Sequence, residues 1–434
     1  MPQQLKNERI VRWPTEGIYP TTRQFWSGRS GDLLLIVAFS GGGTRAAAFA
    51  YGVLEELRDT HITLGERHRR LLDEVDIISG VSGGSFPAAY YGLYGDSIFR
   101  DFENRFLKKD IQDDVLVRIF DPTHWYRSLS PYYGRWEIAS DYYDNLLFHG
   151  ATFGDLAKAG GPVVIINATD ITTGGRFNFT NAYFGRICSD LEHFPISVAV
   201  TASSAVPLLF SPITLENFAG SCDYEPMPWF RSALNDPNLS SRSRAFALED
   251  SAFVDSRKRR YLHLLDGGIS DNLGIREIFD RVVREGPDLT RLLAGIGHPK
   301  VRDIVMILVN SQTEPAYNEA ISGLNPNLPD VLDAVTSVQI DRYNFETQEL
   351  IQESFDKWTL ELSNRDQPAR FHMITVSFDD VAKESERQFL HNLPTNLKLN
   401  PDQVDHLRGL ARILLRNNIR FQNLIKSWRP VSTD

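Results

Sequence analysis

Twice between residues 33 and 95 the chain runs from an apolar-rich stretch, unbroken in the first case, into a glycine-rich turn and on into helix-forming sequence. The first unit is LLLIVAF, SGGG and TRAAAFAYGVLEEL, and the second is VDIIS, GVSGG and SFPAAYYGLYG. A half-exposed strand would alternate apolar with polar residues. A run apolar at every position suits a strand covered on both faces, and the helix behind each turn supplies a cover. The pattern therefore predicts an α/β chain around a largely parallel sheet. Further strands are expected at 163–169, 176–180, 261–265, 301–309 and 371–378.

The remaining segments have different textures. Residues 1–31 are polar, carry Pro14, Pro20 and Gly31, and read as an irregular arm. Residues 222–260 hold Pro226, Pro228, Pro237 and many serines, and read as a long surface excursion. After about residue 325 the chain is mainly helical. Ile351, Phe355 and Trp358 recur at helical spacing, as do Val404, Leu407, Ala411 and Leu414 behind Asn400-Pro401, an N-cap with proline at the first helical position. Both stripes are expected to pack on the core. The organisation expected is an arm over 1–31, a domain over 32–290, and C-terminal strands and helices over 291–434 on the same core.

Three short motifs carry chemistry. Gly80-Val81-Ser82-Gly83-Gly84 follows an apolar strand and precedes a helical run, the setting of a nucleophile elbow that lifts a serine hydroxyl above the sheet edge. Its flanking glycines Gly80, Gly83 and Gly84 tolerate the crowding of such a turn. Ser40-Gly41-Gly42-Gly43-Thr44-Arg45 opens the other helix. Consecutive glycines there aim backbone N–H groups at one point, suited to a phosphate or to the oxyanion of acyl transfer, or they form only a tight turn. A Walker loop is excluded because no Gly-Lys-Ser/Thr follows. Arg45 stands in the first helical turn, against the helix dipole, which calls for a carboxylate partner or a visiting anion. Asp266-Gly267-Gly268 ends the strand 261–265, where a carboxylate can serve as a base or merely start a turn. Gly267 and Gly268 let the backbone fold tightly beneath it, and Asp271 reads as turn or capping chemistry.

Composition narrows the partners. With 46 basic and 56 acidic residues the net charge is −10, which argues against nucleic acid. The two cysteines, Cys188 and Cys222, exclude a four-cysteine zinc site and can form one bridge in an oxidising compartment. None of the ten histidines has the spacing of H-E-x-x-H, so no metal site is expected. The most apolar window, Leu33 to Leu54, holds Arg45 at its centre and does not suit a transmembrane segment. The first residues lack the apolar stretch of a secretory leader. The protein is thus expected in the cytoplasm or peripherally on a membrane, or exported if a leader has been removed. No feature specifies an oligomeric state. Nine aromatics between Phe120 and Phe148, including Trp125, Tyr126, Tyr132 and Tyr133, suit an acyl-chain entrance or an aromatic subcore. Arg257-Lys258-Arg259-Arg260 suits anionic headgroups or a solvated face.

Taken together, GGGTR (41–45), GVSGG (80–84) and DGG (266–268), in that order, resemble the patatin-like phospholipase family. ASSAVPLLFSP (202–212) and DGGISDNLG look like its bacterial members, and the resemblance spans roughly residues 32–280. One departure is Ala46, where the family often has glycine, which touches how the helix begins more than the donors before it. The resemblance implies a three-layer α/β/α sandwich and a Ser-Asp dyad without catalytic histidine. Ser82 would be the nucleophile, Asp266 the base, and Gly41, Gly42 and Gly43 the oxyanion hole, with Arg45 beside it. The substrate would be a lipid at a membrane surface, with no metal or organic cofactor. Two rival readings make different demands. A Ser-Asp-His triad would recruit His298 or His372, and a silent lipid-binding protein on the same fold would leave Ser82 unreactive.

Overall fold

The computed structural model describes residues 6–14, 29–64, 67–121, 134–207, 210–225, 233–235, 241–285, 293, 300–313, 328–363 and 368–428. Ten strands lie in this set: β1 (Leu33–Phe39), β2 (His61–Leu64), β3 (Arg67–Arg70), β4 (Val75–Val81), β5 (Val163–Asp170), β6 (Arg176–Asn178), β7 (Ile213–Glu216), β8 (Tyr261–Asp266), β9 (Asp303–Asn310) and β10 (Arg370–Ser377). Eight form one sheet in the order β10-β9-β1-β4-β5-β8-β7, with β6 beside β5, while β2 and β3 form a separate hairpin. Pairing is parallel from β10 through β5 and antiparallel where β6 and β8 meet β5 and β7 meets β8.

Every residue of β1 and β9 is buried. Because side chains alternate across a strand, the two faces feed different cores. Leu33, Leu35, Val37 and Phe39 join the larger cluster, under α1 (Gly43–Asp59) and α2 (Ser85–Tyr94). Leu34, Ile36 and Ala38 join the smaller one with Ile304, Met306 and Leu308, beneath the helix Leu328–Leu362. Helices on both faces of a mostly parallel sheet make the α/β/α sandwich expected from the sequence.

The C-terminal stripes pack as their spacing predicts. Ile351 and Phe355 are buried in the smaller core, with Trp358 against Phe371. Val404, Leu407 and Ala411 are buried and Leu414 partly so, in a helix (Pro401–Asn417) begun by an Asn400–Gln403 capping box. That helix crosses α1 so closely that a Cβ on Gly52 would meet the Arg408 carbonyl and the Ala411 side chain. Glu55 and Glu56, buried on α1, pair with Arg408 and Arg416.

Some expectations need correction. Within 222–260 lies a helix, Ser241–Phe253, with Phe246, Ala247 and Phe253 buried; its apolar residues are too sparse to stand out in a polar sequence. Pro226, Pro228 and Pro237 fall outside the described residues. The hairpin β2–β3 and the short β7 add to the expected strands and leave little trace in the sequence, since RHRR has no apolar face and ITLE only two inward residues. In the arm, Asn7 is buried and bonds Ser189 Oγ and the Glu216 carbonyl. Cys188 and Cys222 form a disulfide, with Cα atoms 5.6 Å apart.

Of the aromatic group, Trp136, Tyr142, Tyr143 and Phe148 are core residues and Phe120 is exposed; Trp125, Tyr126, Tyr132 and Tyr133 fall outside the described residues. In the basic run Arg259 is spent on Asp170, while Arg257, Lys258 and Arg260 are exposed. Among the described residues no helix is long and apolar enough to cross a membrane.

Gly52 offers a test of the helix crossing. Gly52→Leu forces two buried backbones apart, and a loss of about 1–3 kcal/mol in urea unfolding is expected.

Candidate active site

Strand register brings the three motifs to one point. Phe39 of β1 lies beside Gly80 of β4, so the two glycine turns leave adjacent parallel strands at the same edge. Val81 lies beside Asn167 of β5, and the next β5 residue, Ala168, faces Asp266. β8 therefore ends level with Ser82. It does so for a reason the sequence did not suggest: β8 runs antiparallel to β5 and overlaps only Ala168, Thr169 and Asp170, so its last residue is carried inward to the elbow.

Ser82 stands at the start of a single tight turn with φ +48°, one of three described non-glycine residues in the left-handed region. Holding it there costs on the order of 1–3 kcal/mol, which the surrounding bonds must offset. Its N–H donates to Ser203 Oγ at 2.8 Å, and its carbonyl accepts from Ser85 Oγ at 2.6 Å. The hydroxyl is thereby aimed at Asp266, and Ser82 Oγ donates to Asp266 Oδ2 at 2.8 Å. The second oxygen, Oδ1, accepts from the N–H of Gly268 at 2.8 Å. Burial pushes the Asp266 carboxyl up to about 6, opposed by the hydrogen bonds from Gly268 and Ser82.

Ser203 also ties the motifs together through its backbone: its carbonyl accepts from Gly267 N–H at 3.0 Å, while Ala205 does the same for Asp266 N–H. Thr169 Oγ1 donates to the Asp266 carbonyl at 2.8 Å. Ser203 and Thr169 carry no signal of this role in the sequence, although Ser203 lies in the ASSAVP stretch.

The glycine loop abuts the elbow. A Cβ on Gly83 would overlap the backbone of Gly43, so a side chain there would part the two turns. Gly84 and Gly80 are equally enclosed, by Phe39 and by Ser85. Gly42 and Gly43 take φ +136° and +60°, and among the described residues no acceptor takes their N–H groups. Gly41 departs from expectation: its N–H donates to the Asn272 carbonyl at 3.0 Å and is not free for an oxyanion. Two N–H groups of the loop, those of Gly42 and Gly43, thus have no acceptor among the described residues, and Asn272, which no motif marks, takes the third.

Arg45 meets neither expected partner. It is buried, and its guanidinium donates to the carbonyls of Ser311 (2.9 Å) and Leu393 (2.5 Å) and to Thr395 Oγ1 (3.0 Å). Among the described residues no carboxylate pairs with it, and burial lowers its pKa to about 10, which leaves it cationic at neutral pH. The anion-visiting expectation fails on accessibility: three neutral acceptors already occupy the fork.

Asp271 accepts from the N–H groups of Gly274 (3.1 Å) and Arg276 (2.8 Å), the turn chemistry expected of it. His372 sits level with Leu35 through Val305, near the amino ends of the parallel strands. That is roughly 20 Å along the strand direction from the elbow, and its Nε2 meets Asp303 at 2.8 Å instead. His298 falls outside the described residues.

The carboxyl of Asp266 makes a linkage prediction. Its folded pKa of about 6 lies above the ordinary 3.8, so the folded state holds this proton more tightly than the unfolded chain. That contribution to stability is complete below the unfolded value and is lost as pH rises through about 6. Asp266→Asn stays neutral throughout. Urea unfolding at acid and mildly alkaline pH should therefore find the variant gaining on wild type as pH rises, and a constant difference would contradict the burial argument.

Among solved structures, human GIVD cytosolic phospholipase A2 aligns with a TM-score of 0.48 at 12% identity, over 99% of this chain and 68% of that one. The same human enzyme in complex with methyl gamma-linolenyl fluorophosphonate aligns at 0.44 and 11%, over 99% and 66%. The type III effector protein ExoU aligns at 0.23 and 15%, over 92% and 76%. This chain thus spans about two thirds of the human phospholipase chains. No match is found among the curated proteins. The sequence model of the patatin-like phospholipases matches residues 37–279, more than half of the chain, and takes in all three motifs that meet at the sheet edge. The chain belongs to the patatin-like phospholipase family.

Proposed function

We propose that this protein is a serine lipid acyl hydrolase that cleaves acyl esters of phospholipids or related lipids at a membrane surface, through a Ser82–Asp266 dyad and an acyl-enzyme. The observation that carries the reading is the 2.8 Å bond from Ser82 Oγ to a buried carboxylate, beside two unoccupied backbone donors. Family membership supports the lipid substrate class.

In this mechanism Asp266, ionised above about pH 6, accepts the Ser82 proton as Oγ attacks the ester carbonyl. An ordinary aspartate is a weak base, and burial corrects that by disfavouring the anion. The oxyanion forms against the N–H groups of Gly42 and Gly43. One such donor is typically worth about 3–4 kcal/mol in the transition state. Asp266 then returns its proton to the departing alkoxide, leaving the acyl group on Ser82. Water, deprotonated by the same carboxylate, attacks the acyl-enzyme. The fatty acid leaves, and Ser82 recovers its proton. Gly80, Gly83 and Gly84 let the elbow form, Gly267 and Gly268 turn the chain beneath Asp266, and Arg45 acts from behind the loop. No residue in this sequence of steps is a histidine. The catalytic unit would be the segment 32–290, completed by strands and helices of 291–434.

Hydrolysis of phosphatidylcholine vesicles by wild type, Ser82→Ala, Asp266→Ala and His372→Ala tests this. The first two variants should lose activity by roughly a thousandfold or more while keeping the fold, and the third should match wild type. In wild type kcat/KM should climb with pH through an apparent pKa near 6. Full activity in Asp266→Ala would end the dyad mechanism. Absence of both hydrolysis and fluorophosphonate labelling at Ser82 would favour the silent lipid-binding reading.

A further inference from the structure

The glycine loop is held from outside the region that the family model matches. Thr44 N–H donates to the Asn396 carbonyl at 2.8 Å, and Gly43 lies against that same carbonyl so closely that no side chain would fit. Arg45, the next residue, reaches the Leu393 carbonyl and the Thr395 hydroxyl. Ser311, just past β9, holds the other side: its N–H donates to Ser40 Oγ and its hydroxyl to the Gly41 carbonyl, at 2.9 and 3.1 Å.

These contacts answer a problem the loop creates. Gly42 and Gly43 lack a Cβ and sit at positive φ, so their own backbone preferences hardly restrict where the N–H groups point. Direction must come from neighbours. The segment 393–396 is itself well anchored. Leu397 and Leu399 are buried just after it, and the following helix is fastened to α1 through Glu55 and Arg408. Arg45 adds an electrostatic element, since its cation is held close behind Gly42 by three neutral acceptors.

We propose that residues 393–396 are a positioning element of the active site, in which the Leu393 carbonyl, the Thr395 hydroxyl and the Asn396 carbonyl clamp Thr44 and Arg45 and so aim the Gly42 and Gly43 N–H groups. The inference rests on the hydrolase reading for its catalytic meaning, and on the hydrogen bonds alone for its structural meaning. It makes the C-terminal segment part of the machinery rather than a cover for the core.

Thr395 is exposed, so replacing it leaves the core untouched. Thr395→Val removes the acceptor of Arg45 Nη2 at constant shape, and Thr395→Ser restores it. Loss of a hydrogen bond to a charged group should lower kcat by about tenfold with KM nearly unchanged. Affinity for a trifluoromethyl ketone, which forms an oxyanion on Ser82, should fall in parallel, whereas a plain methyl ketone should bind as before. Hydrogen exchange in the peptide covering residues 40–46 should quicken in Thr395→Val and return to the wild-type rate in Thr395→Ser. A Thr395→Val protein with wild-type exchange over 40–46 overturns the proposal, as does one that is only less heat-stable, with kcat and ketone affinity intact. If wild type hydrolyses no ester, the hydrolase reading is what fails, and the exchange comparison still decides the clamp.

Discussion

Register between β1, β4 and β5 sets the geometry from which everything else follows. With Phe39 beside Gly80 and Val81 beside Asn167, the two glycine turns emerge side by side and the incoming end of β8 stops against the elbow. A slip of one residue would reverse every side chain of a strand, moving Leu35, Val37 and Phe39 from the larger core to the smaller and carrying Ser82 away from Asp266. That slip is opposed on both faces at once, because each strand is buried on both sides and each core is filled by a different set of side chains. The precision of a 2.8 Å hydrogen bond across 184 residues is therefore inherited from hydrophobic packing.

Around that frame the chain accepts several local penalties. Ser82 holds a left-handed backbone, Asp266 is a carboxylate out of water, and Arg45 is a buried cation bonded to neutral acceptors. Each would be unfavourable alone, and each is held by hydrogen bonds: Ser82 by the neighbouring Ser85 and the distant Ser203, Asp266 by the N–H of nearby Gly268, and Arg45 by the distant Ser311, Leu393 and Thr395. Concentration of such penalties at one sheet edge is what a preorganised catalytic site requires, since groups already desolvated and aligned need not rearrange during reaction.

The C-terminal third contributes more than bulk. β9 and β10 extend the sheet past β1, which removes the edge that β1 would otherwise present. The helix Pro401–Asn417 then covers α1, whose amino end is the glycine loop. Its arginines neutralise Glu55 and Glu56 on a helix face that would be awkward to bury otherwise. Stability of the layer and orientation of the loop are thus coupled through one helix.

Much of this was legible in the order of residues. Apolar-rich runs located β1, β4, β5 and β9, the paired helical stripes located the C-terminal packing, and three motifs singled out Ser82, Asp266 and the glycine loop, because each signal lies within a few adjacent residues. What the residue order left open was decided by pairing across long separations. The antiparallel approach of β8, the capture of Gly41 N–H by Asn272, the support of Ser82 by Ser203, and the choice of neutral acceptors by Arg45 all join residues far apart in the chain. Periodicity and turn chemistry report what a segment prefers on its own. Which donor meets which acceptor depends on strand register and helix placement, and those exist only once the whole core has closed.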